Sequence, residues 1–261
     1  MREAFTQAAK KLDTTVDGPE VWGWHGRTLS SRVQHPDRGA CWLRLISAPE
    51  DKAAGKIWEG SGQAAALFDG HVRKPLLYDT SDTNRDGHAY RAELHQYVTE
   101  VAVSPSPVLR TDPDPPTTWW DSLRADLDYV SRVPTDRVAV RQEWVDRSVP
   151  RFLDIPGPRI TDRTTAHGDL HTANLTNTTP YLLDWEGFGH APAGYDAAML
   201  LAYSLLVPAF TQRVRDTFPV LKTEPGRVAQ IIVITELLQS ASRGDHPELV
   251  PALHALAAEL A

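Results

Sequence analysis

Asp169, Asn174 and Asp184 are the residues of this 261-residue chain whose types and spacing can do chemistry together. They lie in Thr164-Thr165-Ala166-His167-Gly168-Asp169-Leu170-His171-Thr172-Ala173-Asn174-Leu175 and, shortly after it, Tyr181-Leu182-Leu183-Asp184-Trp185-Glu186. The pattern is a loop Asp, an Asn in the same loop, then a second Asp at the end of a short apolar run. Phosphoryl transfer needs such a set: one carboxylate to orient and deprotonate a hydroxyl, and hard oxygen ligands for Mg²⁺. Asn174 and Asp184 can supply metal oxygens, which leaves Asp169 free to face an acceptor hydroxyl. Taken singly, each has a plainer reading, since His-Gly-Asp and a lone Asn are both common in turns. In this order and spacing, chance explains them poorly.

The same residues resemble the catalytic and metal loops of the aminoglycoside phosphotransferase/choline kinase family. The continuation Gly187-Phe188-Gly189-His190-Ala191-Pro192-Ala193-Gly194-Tyr195-Asp196 is similar to the glycine, proline and aspartate run that follows the family's metal aspartate. The resemblance is tight over residues 164–202 and looser over much of the remainder. It implies Asp169 as catalytic base, Asn174 and Asp184 as Mg²⁺ ligands, and Asp196 as a brace of the catalytic loop. His167 reads as a buried hydrogen-bonding residue of that loop, and His171 as a structural or substrate-edge residue. Trp185 reads as packing, and Glu186 as an acid near the substrate or a solvated one. The implied cofactors are ATP (or GTP) and Mg²⁺, and the implied partner is a small hydroxylated acceptor.

Upstream, the stretch from Trp22 to Val33 sits where a nucleotide-covering β-turn-β loop belongs in that family, which nominates Gly23, Gly26 and Ser30. It departs from the Gly-x-Gly-x-x-Gly of protein kinases, and paired glycines also make ordinary turns. The family's next strand usually supplies a lysine to the α- and β-phosphates. Here Trp42-Leu43-Arg44-Leu45 offers Arg44, which keeps the charge and can grip phosphate with two donors, at a different reach. Glu59 in the following helix is the best placed partner for Arg44; its plain reading is an exposed helix acid. The segment from Glu93 to Val103 is expected to be the hinge, with its backbone reading the base.

The first hundred residues read as β-rich with one helix. Strands are expected over 40–46, 76–78 and 89–98, the last from the alternation of Tyr90, Ala92 and Leu94 with Arg91, Glu93 and His95. A helix is expected over 53–68. Prolines cluster between Ser104 and Pro116 and break regular structure, which divides the chain into a nucleotide-binding lobe (1–103) and a catalytic, acceptor-binding lobe (104–261). Helices are expected over 119–133, 136–152, 194–207, 225–243 and 246–260. The resulting fold class is α+β, bilobal and protein-kinase-like, with a natural cleft.

A formal net charge of −7 provides no basic footprint for nucleic acid. The lone Cys41 rules out an intrachain disulfide. Met1 to Lys11 lacks a signal-peptide core. Ile231-Ile232-Val233-Ile234 is far short of the roughly 20 apolar residues of a membrane span. No membrane partner and a cytoplasmic location are therefore expected. The excess of acidic over basic residues after Asp184 leans towards a cationic acceptor. Two other readings stand beside the kinase. One is a catalytically silent nucleotide-binding protein, suggested by Arg44. The other is a metallohydrolase using His167, Asp169, His171 and Asp184, disfavoured by the lack of any further His-x-His or His-Glu-x-x-His element.

Overall fold

The computed structural model describes residues 1–260, apart from the side chains of Trp24 and Lys56. Two compact units emerge: residues 1–70 with 74–99, and residues 71–73 with 100–261. The fold class is α+β, with an antiparallel sheet in the first unit and mainly helices in the second.

The first unit opens with α1 (Arg2–Lys11), followed by short β1 (Thr15–Val16) and β2 (Val21–Trp22), then β3 (Thr28–His35) and β4 (Gly39–Pro49). After α2 (Lys56–Phe68) come β5 (Leu77–Arg85) and β6 (His88–Gln96). The sheet order is β1-β3-β4-β6-β5, with β2 also on β3, and every pairing is antiparallel. Side chains alternate between its faces. Cys41, Leu43 and Leu45 of β4 join Ala92 and Leu94 of β6 and pack with Phe5, Ala8 and Ala9 of α1. The opposite face carries Trp42, Arg44 and Ile46 beside His95, Glu93 and Arg91. There Ile46 and Ala89 pack with Trp58 of α2. Asp86 and Gly87, both at positive φ, turn β5 into β6 in the manner of a tight hairpin.

Sequence reasoning expected one helix here, and there are two. Ala4, Phe5, Ala8, Ala9 and Leu12 make an apolar stripe at helical spacing, which the polar residues between them obscure.

The second unit contains α3 (Thr117–Arg132), α4 (Gln142–Leu153), β7 (Arg163–Ala166), β8 (Gly189–Pro192), α5 (Tyr195–Tyr203), α6 (Pro208–Thr217), α7 (Glu224–Ala241) and α8 (Val250–Leu260). Residues 71–73 belong to it because Arg73 pairs with Asp126 of α3 at 2.8 Å and its carbonyl accepts the Leu182 N–H at 2.7 Å. The core is built around α5 and α7, in which Ala197 to Ala202 and Ile231 to Ile234 are all buried. A helix apolar all round must sit inside its unit. Thr223 caps α7 by accepting the Gly226 N–H, with Pro225 in the first turn.

Two expectations are corrected in this unit. The helix expected from Asp136 starts at Gln142, because residues before it are extended and Val138 bridges His190. The C-terminal region holds four helices, not three. The additional one, α6, begins on Pro208 and buries only Phe210, Thr211 and Val214 beneath a charged outer surface. No helix among the described residues is long and apolar enough to cross a membrane.

Candidate active site

The antiparallel pair of β7 and β8 delivers the two ends of the site. At the end of β7 the chain turns through His167 and Gly168 into Asp169. Gly168 has φ +88, and a Cβ there would lie 2.4 Å from the Gly187 carbonyl oxygen. Only glycine satisfies both the positive φ and the close backbone approach. The Asp196 carboxylate, in the first turn of α5, accepts the His167 N–H at 2.7 Å and the Gly168 N–H at 2.9 Å. Burial pushes the Asp196 carboxyl above the usual carboxylate range, only partly offset by His167 and by those two N–H donors.

His167 is fully buried and spends its ring on the loop. Its Nε2 lies 2.9 Å from the Leu183 carbonyl, and its Nδ1 accepts the Asp169 N–H at 3.3 Å. With Nδ1 accepting, Nε2 is the ring nitrogen left to face the Leu183 carbonyl. The ring meets Trp185 edge-on, and the Trp185 indole donates to the Leu182 carbonyl at 2.8 Å.

Asp169 is hemmed in by His167, His171 and Asn174, yet 46% of its side-chain surface stays open. Asn174 Nδ2 donates to the Asp169 carbonyl at 2.9 Å and to Oδ2 at 3.2 Å. His171 Nε2 lies 3.6 Å from Asp169 Oδ1 and 3.3 Å from Asn174 Nδ2. Burial pushes the Asp169 carboxyl up. The neighbouring His171, with help from His167 and Asn174, outweighs that and holds it below the ordinary range. The carboxylate is therefore ionised and accessible at neutral pH, as a hydroxyl-orienting base must be.

Asn174 and Asp184 are linked through the backbone. The Asn174 carbonyl accepts the Leu183 N–H at 2.9 Å, and Leu175 bridges Leu182. With Nδ2 committed to Asp169, Asn174 has Oδ1 left for a cation. Asp184 is exposed in the left-handed region (φ 59, ψ 73), ahead of a 3₁₀ turn over Trp185–Gly187. An amide oxygen and a carboxylate are hard donors, and two protein ligands leave room for phosphate oxygens and water around Mg²⁺. The residues present fit that ion. Among the described residues, no group of three or more His, Cys, Asp or Glu side chains is arranged to hold a metal, and His167 Nε2 is already committed to Leu183. Both facts weigh against a zinc centre. Glu186 lies within the 3₁₀ turn.

Sequence reasoning missed the residues that α5 and α7 bring up. The Tyr195 hydroxyl donates to Glu236. Tyr203 stands edge-on to His171 at 5.3 Å and to His246 at 5.6 Å. Burial, then the carboxylates of Asp169, Glu236 and Asp245, push the Tyr203 hydroxyl well up. Tyr195 falls in the run after Asp184 but was given no role there; Tyr203, Glu236 and His246 come from distant parts of the sequence, and no motif marks them.

In the first unit, Arg44 sits directly across from Ser30 on β3 and from Glu93 on β6. Its Nη1 lies 3.5 Å from Glu93 Oε2, with side-chain exposures of 13% and 1%. Burial pushes the Glu93 carboxyl up, but His95, Arg44 and Ser61 together hold it below the usual range. Glu59 is exposed on α2 and accepts from the Gly55 N–H and Gln63 Nε2, both at 3.4 Å. Lys74 is buried and is spent on Asp69 and the Pro75 carbonyl. Gly23 precedes and Gly26 closes the 3₁₀ turn between β2 and β3, and the Gly26 N–H donates to the Gly23 carbonyl at 2.9 Å. A Cβ on Gly23 would meet the Thr28 hydroxyl at 2.0 Å, so this glycine permits close packing. Trp42 lies on the same sheet face as Arg44, and its ring stacks with Tyr97 at 6.3 Å.

Solved structures of similar fold extend over the chain. A thermostable mutant of aminoglycoside phosphotransferase APH(4)-Ia, in a ternary complex with ADP and hygromycin B, aligns with TM-score 0.63 at 12% identity, covering 99% of this chain and 97% of that one. Amicoumacin kinase hAmiN, in complex with AMP-PNP, Ca²⁺ and Ami, aligns with TM-score 0.63 at 13% identity, covering 99% and 92%. Choline kinase LicA from Streptococcus pneumoniae aligns with TM-score 0.54 at 11% identity, covering 99% and 97%. At those identities the likeness is one of fold. No curated protein matches the sequence. The resemblance read from the catalytic and metal loops is upheld by a match to the phosphotransferase enzyme family over residues 42–229, most of the chain, and the protein belongs to that family.

Proposed function

We propose that this protein is a Mg²⁺-dependent O-phosphotransferase that uses ATP or GTP to phosphorylate a small hydroxylated molecule. The observation that carries the reading is the Asp169 carboxylate: ionised, accessible, and flanked by His171 and Asn174, the latter holding through its carbonyl the Leu183 N–H that precedes Asp184. Bound Mg²⁺ would neutralise phosphate charge, with Asn174 and Asp184 as its protein ligands. Asp169 orients the acceptor hydroxyl and takes its proton as the new O–P bond forms. The bond from the γ-phosphorus to the bridging oxygen breaks, and the nucleoside diphosphate leaves. Asp196 and His167 hold the loop that carries Asp169, and Arg44 binds the nucleotide phosphates. The turn with Gly23 and Gly26 covers the phosphates, with Ser30 beside Arg44. Dependence on a nucleoside triphosphate argues for a cytoplasmic site of action.

The acceptor is proposed to be cationic. Glu236 and Asp245 join Asp169 around Tyr203, a negative surrounding that attracts an amine. The structural neighbours named for hygromycin B, amicoumacin and choline are in keeping with such an acceptor.

A catalytically silent nucleotide-binding protein is the second reading, favoured by the engagement of Arg44 with buried Glu93. A nucleotide-consumption screen across aminated and plain hydroxylated acceptors separates the two. Acceptor-dependent consumption that Asp169→Asn removes supports the transferase. Mg-nucleotide binding without turnover on any acceptor supports the silent protein.

A further inference from the structure

Arg137 lies in the extended segment between α3 and α4 and grips the stretch that follows Asp184. Its Nε donates to the Phe188 carbonyl at 2.8 Å and its Nη2 to the Glu186 carbonyl at 2.7 Å. The guanidinium carbon stands 4.4 Å from the centroid of the fully buried Phe188 ring. The backbone adds to the attachment: the His190 N–H donates to the Arg137 carbonyl at 2.8 Å, and the Ala139 N–H to the His190 carbonyl at 2.9 Å.

The two carbonyls that Arg137 holds flank Gly187, the residue packed against Gly168 of the catalytic loop. On the other side of Asp184, the Leu183 N–H is held by the Asn174 carbonyl at 2.9 Å. Asp184 itself sits at φ 59. Aspartate enters that region more readily than most residues, so its direction depends on how its neighbours are held. Here the restraint comes from both flanks, Asn174 before and Arg137 after.

We propose that Arg137 is a positioning residue for the metal. By fixing the 186–188 turn it sets the direction in which Asp184 presents its carboxylate to Mg²⁺. This rests on the phosphotransferase reading. The fork geometry matters, because two N–H groups of one planar guanidinium satisfy two carbonyls at once, which a lysine ammonium cannot reproduce while also lying flat on the ring.

The test titrates Mg²⁺ into the full chain in the presence of a fluorescent ATP analogue, for wild type, Arg137→Ala and Arg137→Lys. The Mg²⁺ midpoint should rise about 10- to 100-fold in Arg137→Ala, the range typical of lost support behind a metal ligand. Arg137→Lys should fall between, and the binding plateau should recover at high Mg²⁺ in both. A purely structural role would lower the melting temperature and leave the midpoint in place. Unchanged midpoints in folded variants overturn the proposal. Should Arg137→Ala not fold, Arg137→Lys, which keeps the charge over Phe188, decides by the same midpoint. Wild-type protein that binds no Mg-nucleotide overturns both this proposal and the phosphotransferase reading. A normal wild type with unmoved variants overturns only the role of Arg137.

Discussion

Asp196 accepts the backbone N–H of Gly168 at 2.9 Å through one carboxylate oxygen while the other accepts the neighbouring N–H of His167. One buried side chain at the start of α5 therefore fixes two consecutive peptide groups immediately before the candidate base. Asp196→Ala should leave both donors unpaired and cost about 2–6 kcal/mol, at roughly 1–3 kcal/mol for each buried unsatisfied group. Urea denaturation measures it. Because burial raises the folded-state pKa of Asp196, its ionisation linkage has a definite sign. The stability it contributes is complete below the unfolded-state pKa and is lost as pH rises through the folded value. Wild type should lose ground to Asp196→Asn over that window, read as the difference in denaturation midpoints against pH.

Asp169→Asn should lower the acceptor-dependent rate by about 10²- to 10⁴-fold, the usual range for general base catalysis. Nucleotide affinity, measured by calorimetry, should stay close to that of wild type. An unchanged rate would remove Asp169 from the base role.

His171 is the largest of the influences holding the Asp169 carboxyl down against burial. The folded-state pKa of Asp169 is depressed, so its favourable contribution is present above the unfolded value and lost as pH falls through the folded one. His171→Leu removes that influence, and the acid limb of the pH–rate profile should move to higher pH. A limb that stays in place would mean that His171 does not set the ionisation of Asp169.

Arg44→Ala is expected to have two consequences. It should weaken Mg-nucleotide binding markedly, and it should remove one partner of buried Glu93, which His95 still holds at 3.2 Å, so the cost in stability should stay below the about 3–5 kcal/mol of a fully stranded buried charge. The double variant Arg44→Met with Glu93→Gln removes the buried charge. Stability should largely return while nucleotide affinity stays low. Affinity returning together with stability would show that Arg44 acts only as the partner of Glu93.

Asp184→Ala should abolish Mg²⁺-dependent nucleotide binding while the circular dichroism spectrum is retained. Persistent Mg²⁺ dependence would count against Asp184 as a ligand.

The sequence was most legible where chemistry is contiguous. His167, Gly168, Asp169, Asn174 and Asp184 follow one another closely, so their spacing carried their meaning, and Asp196 came with the same run. Glu93, Arg137, Tyr203 and Glu236 were not legible, because each acquires its role from a partner distant in sequence. The Arg44–Glu93 pair is set by the register of β4 on β6, which composition does not reveal. The long α3 was visible from periodicity, and α7 from the proline in its first turn and Gly244 past its end. The shorter α1 and α6 bury only a few residues each, and their charged outer surfaces mask the stripe. The four-residue strands β7 and β8 are too short for alternation to register, although they deliver both ends of the site.

The contact of Gly168 with Gly187 has a consequence for how this enzyme can change over generations or in the laboratory. The catalytic and metal loops meet backbone to backbone, with no side chain between them to act as an adjustable spacer. A substitution that shifts one loop drags the other, so the candidate base Asp169 and the candidate metal ligand Asp184 change together or not at all. On the proposed reading, diversification towards new acceptors is left to Tyr203, Glu236 and the segment around Asp245 and His246, which lie outside that backbone junction, whereas Asp196 at the start of α5 is tied to it. Libraries aimed at altered acceptor preference should therefore vary Tyr203, Glu236, Asp245 and His246 and leave both glycines untouched.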